Sequence, residues 1–185
     1  DLIIDAVVGD VKIKADVTAK VEAVVGTDCI YGSNTSTLPI TGLAEASARP
    51  ENFIGLHFFS PVDRMPLVEI IPGAKTADAA LARAMDFVKA IGKTPIVVGD
   101  SRGFFTSRVV ATYINEGLAM LAEGVNPALI ENAGRIAGMP VGPLSLNDEV
   151  AIDLALKIAR ATKADLGASY PGAPGDALLE TMVET

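Results

Sequence analysis

The chain opens on Leu2-Ile3-Ile4-Asp5-Ala6-Val7-Val8, an apolar run that predicts a buried strand from Leu2 to Val8. A helix is expected from Asp10 to about Val25, because Val11, Val17, Val21 and Val24 recur near helical spacing. Cys29-Ile30-Tyr31-Gly32 predicts a short second strand, which runs into the polar turn Ser33-Asn34-Thr35-Ser36-Thr37. Thr41 is expected to cap a short helix reaching about Ala48. Apolar runs from Phe53 to Phe59, from Leu67 to Ile71 and from Pro95 to Val98 predict three more strands. Between the last two, Thr76 is expected to cap a helix from Ala77 to about Ile91, closed by Gly92. Strands this apolar, separated by helices, imply an α/β fold with a mainly parallel sheet covered on both faces.

The pattern changes near Gly103, beyond which no strand is expected. Phe105, Val109, Tyr113 and then Val110, Ile114, Leu118, Leu121 follow helical spacing and predict one long helix to about Glu123. Asn126 is expected to cap a second helix, with Pro127 in its first turn, Ala128 to Ala137 as its body and Gly138 as its stop. Leu144 to about Leu166 reads as a third helix, Gly167 to Gly175 as a Pro/Gly-rich break, and the remainder as a last helix. The expected organisation is an α/β part over residues 1–102 and an all-α part over 103–185, joined at Asp100-Ser101-Arg102-Gly103.

Composition narrows the function classes. Half of the 185 residues are hydrophobic, enough for a substantial core. A net charge of -8 argues against nonspecific nucleic-acid binding, which needs basic patches. It leaves room for anionic ligands bound locally at a loop or helix N-terminus. Cys29 is the single cysteine, so an intrachain disulfide and a cysteine-rich metal site are excluded, as fits a reducing compartment. No apolar stretch has the length of a transmembrane span, and no basic leader precedes an apolar block at the start. The first strand has no lead-in and the last helix no visible cap, so both ends are expected to be cut from something longer.

Candidate chemistry centres on the one histidine. His57 lies in Phe53-Ile54-Gly55-Leu56-His57-Phe58-Phe59-Ser60-Pro61, near the end of a predicted buried strand. Such a ring is either a packed core group or a shielded general base, since imidazole is the side chain that changes charge near neutral pH. Glu69, inside Leu67-Val68-Glu69-Ile70-Ile71, is costly on an apolar strand unless paired, and the histidine is its natural partner. Ligands of open α/β sheets bind beyond the carboxyl ends of the strands. Ser36, His57 and Glu69 are therefore expected to converge on one crevice.

In order, Ser33-Asn34-Thr35-Ser36, Gly55-Leu56-His57-Phe58-Phe59-Ser60-Pro61-Val62, Leu67-Val68-Glu69-Ile70-Ile71 and Gly103-Phe104-Phe105-Thr106-Ser107-Arg108 resemble the motifs of 3-hydroxyacyl-CoA dehydrogenases. Pro140-Val141-Gly142-Pro143-Leu144-Ser145-Leu146-Asn147-Asp148-Glu149-Val150 is similar to that family's helical domain. Ser60-Pro61-Val62-Asp63-Arg64-Met65 and Glu149-Val150 lean toward the dehydrogenase part of multifunctional fatty-acid oxidation α-chains. The resemblance implies a Rossmann-like sheet followed by a helical domain, and NAD-dependent oxidation of (S)-3-hydroxyacyl-CoA to 3-oxoacyl-CoA in fatty-acid β-oxidation. It makes His57 the base for the hydroxyl proton, Glu69 its orienting partner and Ser36 a hydrogen-bonding partner of the substrate oxygen. Asn34, Lys14 and Ala6 fall at cofactor-side positions, Lys14 near the ribose. Ser107 stands where short-chain members carry an asparagine, with a shorter reach. Gly9 stands where some members carry a ribose-binding glutamate.

No Gly-x-Gly-x-x-Gly turn occurs anywhere in the chain, so the family's pyrophosphate site is missing from this sequence. The expectation is a piece of a larger enzyme that keeps the catalytic residues and lacks most of the cofactor grip. The resemblance also implies an acyl-CoA substrate, a homodimer or a thiolase-type partner subunit in a multienzyme complex, and a cytoplasmic or mitochondrial-matrix setting. Two other readings stay open: a non-catalytic helical assembly module, and a dehydrogenase of another 3-hydroxy acid.

Overall fold

In the computed structural model, which describes residues 1–170, 172–173 and 175–184, the chain forms two compact units, residues 1–108 and 109–185. The first unit carries strands β1 (Leu2–Asp5), β2 (Ile30–Ser33), β3 (Phe53–Phe58), β4 (Leu67–Pro72) and β5 (Thr94–Val97). Helices α1 (Val11–Glu22), α2 (Ile40–Ala44) and α3 (Asp78–Ala90) lie between them in sequence. The strands form one sheet in the order β1-β2-β3-β4-β5. Neighbours are parallel except β3 and β4, which run antiparallel with Gly55 opposite Ile71 and His57 opposite Glu69.

Alternation along the strands feeds two cores. Ile54, Leu56, Val68 and Ile70 pack with Ala80, Ala84 and Val88 of α3 on one face. Phe53, Ile71 and Tyr31 pack with Ile40 and Leu43 of α2 and with Phe104 on the other. Gly55 belongs to this second face because the sheet and α2 meet there: a Cβ would fall 2.6 Å from Ile40. The expected α/β sheet covered on both faces is present, with β4 as its reversed member.

Local chemistry differs from expectation at several element ends. β1 stops at Asp5, where its pairing with Ser33 ends, and Val8 lies exposed beyond it. Asp10 does cap α1, its carboxylate accepting from the Lys12 and Ile13 amides at 2.9 and 3.0 Å. The valine series makes only part of the buried face of α1, where Val21 packs against the second core. Val11 and Val24 are exposed, while Lys14 and Thr18 are buried. Thr41 does not cap α2. The Asp100 carboxylate accepts from the Ile40 and Thr41 amides, both at 2.7 Å, and from the Thr41 hydroxyl. Thr76 likewise does not cap α3, where Ala77 holds that place; its hydroxyl donates to the Phe53 carbonyl and accepts from the Gly73 amide.

In the second unit, α4 (Thr106–Ala122, its first residues belonging to the first unit) is followed by α5 (Pro127–Ile136), with Asn126 as the cap that the sequence predicts and Gly138 at φ +98 as the stop. The single helix expected from Leu144 to Leu166 is two: α6 (Pro143–Val150) and α7 (Ile152–Leu166), parted at Ala151 with φ 75. Packing sets this break, since Leu144 of α6 and Ile152 and Ala155 of α7 all meet the cluster of Leu118, Leu156 and Leu179. A short 3-10 turn, Gly167–Ser169, precedes α8 (Asp176–Glu184); Pro171 and Pro174 of the predicted Pro/Gly-rich break lie outside the described residues. Among the described residues no helix is long and apolar enough to cross a membrane.

Candidate active site

His57 and Glu69 are direct partners in the antiparallel register of β3 and β4, so their side chains leave the sheet on the same face. The imidazole Nδ1 lies 2.7 Å from Glu69 Oε2. Both groups are buried, Glu69 completely. The other bonds to this carboxylate come from the start of α4. Oε1 accepts from the amides of Phe105 and Thr106 at 3.0 and 2.8 Å, and Oε2 accepts from the Thr106 hydroxyl at 2.9 Å. The turn that presents these donors passes through Gly103 at φ +74 and Phe104 at φ 47. Glu69 is thus at once the partner of His57 and the N-terminal cap of α4.

Burial alone pushes the Glu69 carboxyl up. The hydrogen bonds from His57, from the Thr106 amide and hydroxyl and from the Phe105 amide outweigh it and hold the group below its ordinary value. An ionised carboxylate only accepts, so Nδ1 of His57 carries the proton and Nε2 of the neutral ring is left as the basic nitrogen. Two rings fix the imidazole plane: Phe59 at 4.5 Å and the buried Phe104 at 5.9 Å, centroid to centroid.

The ends of β1 and β2 lie on the same carboxyl edge as the end of β3, because these strands are parallel. Ala6, just past β1, is exposed. Asn34, just past β2, is held on three sides: its amide donates to the Asp5 carbonyl at 2.9 Å, its carbonyl accepts from Lys14 Nζ at 3.0 Å, and its side-chain Oδ1 accepts from the Phe58 amide at 3.2 Å. Lys14 is buried against Asp5, with Nζ 2.5 Å from Oδ1 and 3.2 Å from Ser33 Oγ. Tyr31 lies near this ion pair, its buried hydroxyl beside Thr18 and the Asp5 carboxylate but making no well-formed hydrogen bond to either. Burial pushes the Tyr31 phenol up to about 12; Thr18 opposes the shift and the Asp5 carboxylate adds to it.

Of the residues singled out in the sequence, the fold brings His57 and Glu69 into direct contact and joins Asn34 to Lys14 and to the residue after His57. Ser36 is exposed on the turn after β2, and Ser107 is half-buried in the first turn of α4. Sequence reasoning passed over Thr106, although it lies next to Ser107 in the quoted motif, and Asp5. Asp5 left a signal of the same kind as Glu69, a carboxylate within an apolar run, with a lysine in the following helix. Among the described residues no cluster of histidine, cysteine and carboxylate side chains could hold a metal ion.

A Rossmann-like α/β domain with a buried histidine–carboxylate pair at its carboxyl edge, continued by a helical domain, defines the class of this protein. The chain belongs to the 3-hydroxyacyl-CoA dehydrogenase family: residues 1–101 match the family's NAD binding domain and residues 103–185 its C-terminal domain. It is 45% identical over 170 residues to a fatty acid oxidation complex subunit alpha of a Shewanella species, covering 92% of this chain and 24% of that protein. The chain therefore spans about a quarter of the length of the curated relatives it matches. Among solved structures it resembles (S)-3-hydroxybutyryl-CoA dehydrogenase of Ralstonia eutropha, with TM-score 0.91, 34% identity, and coverage of 100% of this chain and 65% of the other. It also resembles 3-hydroxybutyryl-CoA dehydrogenase of Escherichia coli, with TM-score 0.83, 32% identity, and coverage of 88% and 35%.

Proposed function

We propose that this chain forms the catalytic edge and helical part of an enzyme that oxidises (S)-3-hydroxyacyl-CoA to 3-oxoacyl-CoA with NAD. The observation that carries the reading is the His57–Glu69 pair, whose carboxylate is saturated by donors and whose ring keeps Nε2 free for a proton. His57 takes the substrate hydroxyl proton at Nε2, and Glu69 fixes the tautomer and stabilises the imidazolium that results. Ser36 hydrogen-bonds the substrate oxygen. Ser107, on the first turn of α4, is a shorter donor to the same ligand.

The carboxyl edge fits the nicotinamide end of NAD: Ala6 presents no bulky side chain there, and Asn34 stands beside the strand that carries His57. When bound, NAD supplies the acceptor for the hydride from C3. Asn34 and Ala6 line that end, and Lys14 lies behind Asn34. The sequence contains no Gly-x-Gly-x-x-Gly turn for the pyrophosphate. The name of the Shewanella relative, a subunit of a fatty acid oxidation complex, supports a multienzyme setting and an acyl-CoA substrate, and the bacterial relatives support a cytoplasmic one.

The test is turnover of 3-hydroxybutyryl-CoA by the full-length protein. His57→Ala is expected to lower kcat about a hundredfold or more, the usual scale for loss of a general base. Near-normal turnover by that variant overturns the reading.

A further inference from the structure

The segment that leads from β5 into α4 is fastened at both ends, each time by a carboxylate on the start of a helix. At its far end Glu69 accepts from the Phe105 and Thr106 amides. At its near end the segment itself supplies the carboxylate. Asp100 Oδ1 accepts from the Ile40 amide and Oδ2 from the Thr41 amide, both at 2.7 Å, and Oδ2 also accepts from the Thr41 hydroxyl. That hydroxyl accepts in turn from the Ala74 amide at 2.9 Å, which ties the anchor to the chain just past β4. Between the two fastenings the backbone folds back on itself. The Phe104 amide donates to the Ser101 carbonyl at 2.9 Å, with Gly103 at φ +74 and Phe104 at φ 47. Glycine takes such angles freely; a phenylalanine keeps them only where its surroundings impose them.

Phe104 is 1% exposed and shares a core with Ile40, the residue whose amide Asp100 holds. Its ring lies 5.9 Å from the His57 imidazole, tilted by 56°, and the next two amides along the chain are the pair on Glu69 Oε1. One left-handed residue therefore sets both the ring beside the base and the donors under its carboxylate. We propose that Asp100 is a positioning residue of the catalytic pair: it pins the turn to α2, keeps Phe104 left-handed, and through it fixes His57 and Glu69. A neutral amide cannot replace the carboxylate, because its NH2 group would face the amide of Ile40 or of Thr41, donor against donor. This role for Asp100 rests on the dehydrogenase reading above, and two readouts separate the failure of either.

In the full-length protein, Asp100→Asn is expected to lower kcat about tenfold or more, because small displacements of a positioned group are costly to rate. KM for NAD and for 3-hydroxybutyryl-CoA is expected to stay within about twofold, since uniform binding is not what is lost. Amide hydrogen exchange in peptides spanning Gly103 to Thr106, followed by mass spectrometry without substrate or cofactor, is expected to speed up. Arg49→Ala is the control for a merely structural effect. It removes bonds to the Glu22 and Gly26 carbonyls at the end of α1, on the amino edge of the sheet, and is expected to lower stability while keeping kcat within about twofold. Unchanged kcat in Asp100→Asn, unchanged exchange over the turn, or an equal loss of kcat in Arg49→Ala each overturns the proposal. So does a rise in either KM of about tenfold with kcat kept, which identifies Asp100 as a binding residue. If Asp100→Asn does not fold, Thr41→Val decides. It removes the hydroxyl donor to Asp100 and is expected to lower kcat severalfold and to speed exchange over the turn; wild-type values for both overturn the proposal. If the wild-type protein does not turn over 3-hydroxyacyl-CoA at all, the dehydrogenase reading fails, while the exchange result still decides whether Asp100 holds the turn.

Discussion

Thr106 and His57 share one oxygen: the Thr106 hydroxyl and the imidazole Nδ1 meet Glu69 Oε2 at 2.9 and 2.7 Å. The carboxylate cannot rotate toward the ring without giving up the start of α4, because its other oxygen is held by the amides of Phe105 and Thr106 at the entry to that helix. Orientation of the base and capping of the helix are one set of bonds.

Thr106→Val keeps the shape and the backbone amide but removes the hydroxyl donor. A hydrogen bond to a charged group is worth about 2 kcal/mol, so the variant is expected to lose about that much stability in urea unfolding. Its kcat is expected to fall severalfold while KM for NAD is kept. Wild-type stability together with wild-type kcat would show that the hydroxyl does not hold the carboxylate.

Glu69→Gln separates the two tasks. The amide oxygen can still accept from Phe105 and Thr106, so the fold is expected to persist by circular dichroism. The amide nitrogen, however, presents protons to His57 and drives the opposite tautomer, with the proton on Nε2. Turnover is expected to fall about a hundredfold or more. A variant with normal kcat would remove Glu69 from the catalytic pair.

The same carboxylate predicts acid sensitivity. Its folded pKa lies below the ordinary value of 4.5, so its ionised form favours the folded state. That contribution is complete above the unfolded value and is lost as pH falls through the lower folded value. Urea midpoints measured from about pH 7 down to about pH 3 should drop more steeply in wild type than in Glu69→Gln, which has no proton to gain. Parallel curves would contradict the assignment.

Gly103 carries the turn into α4 at φ +74, while a Cβ there would meet nothing closer than 3.5 Å. Gly103→Ala is therefore expected to cost about 1 kcal/mol through the backbone alone, without a clash. A loss well above that in thermal or urea unfolding would point to a steric cause instead.

Tyr31 offers the opposite sign. Its buried hydroxyl makes no well-formed hydrogen bond, although Thr18 and the Asp5 carboxylate lie beside it. Tyr31→Phe removes that group while keeping the ring stacked on Phe53 at 5.1 Å, and is expected to leave stability unchanged or raise it by about 1 kcal/mol. A loss of stability of that size would reveal a bond to the hydroxyl in solution.

The sequence made the site legible where a polar group violated an apolar run. Glu69 and His57 stood out for that reason, and the fold pairs them. Asp5 breaks the same rule, but its partner Lys14 lies in the next helix, and nothing in the local pattern ties the two together. The valine spacing in α1 misled for a related reason: spacing reports apolar side chains, and the face of α1 that is buried carries Lys14, made tolerable by a charge on another element. The capping of α2 by Asp100 and of α4 by Glu69 comes from far along the chain, so local capping rules pointed to Thr41 and missed both. The break at Ala151 left no mark either, since neither glycine nor proline accompanies it.

The reversal of β4 also has a bearing on how the site comes into being during folding. His57 and Glu69 are only twelve residues apart, joined across a hairpin, whereas β1 reaches its partner only by closing the chain from Leu2 to Ile30. Short loops close at lower entropic cost and sooner. The acid–base pair thus belongs to the most local strand pairing of the sheet, β3 with β4, and its assembly does not have to wait for the longer-range ones.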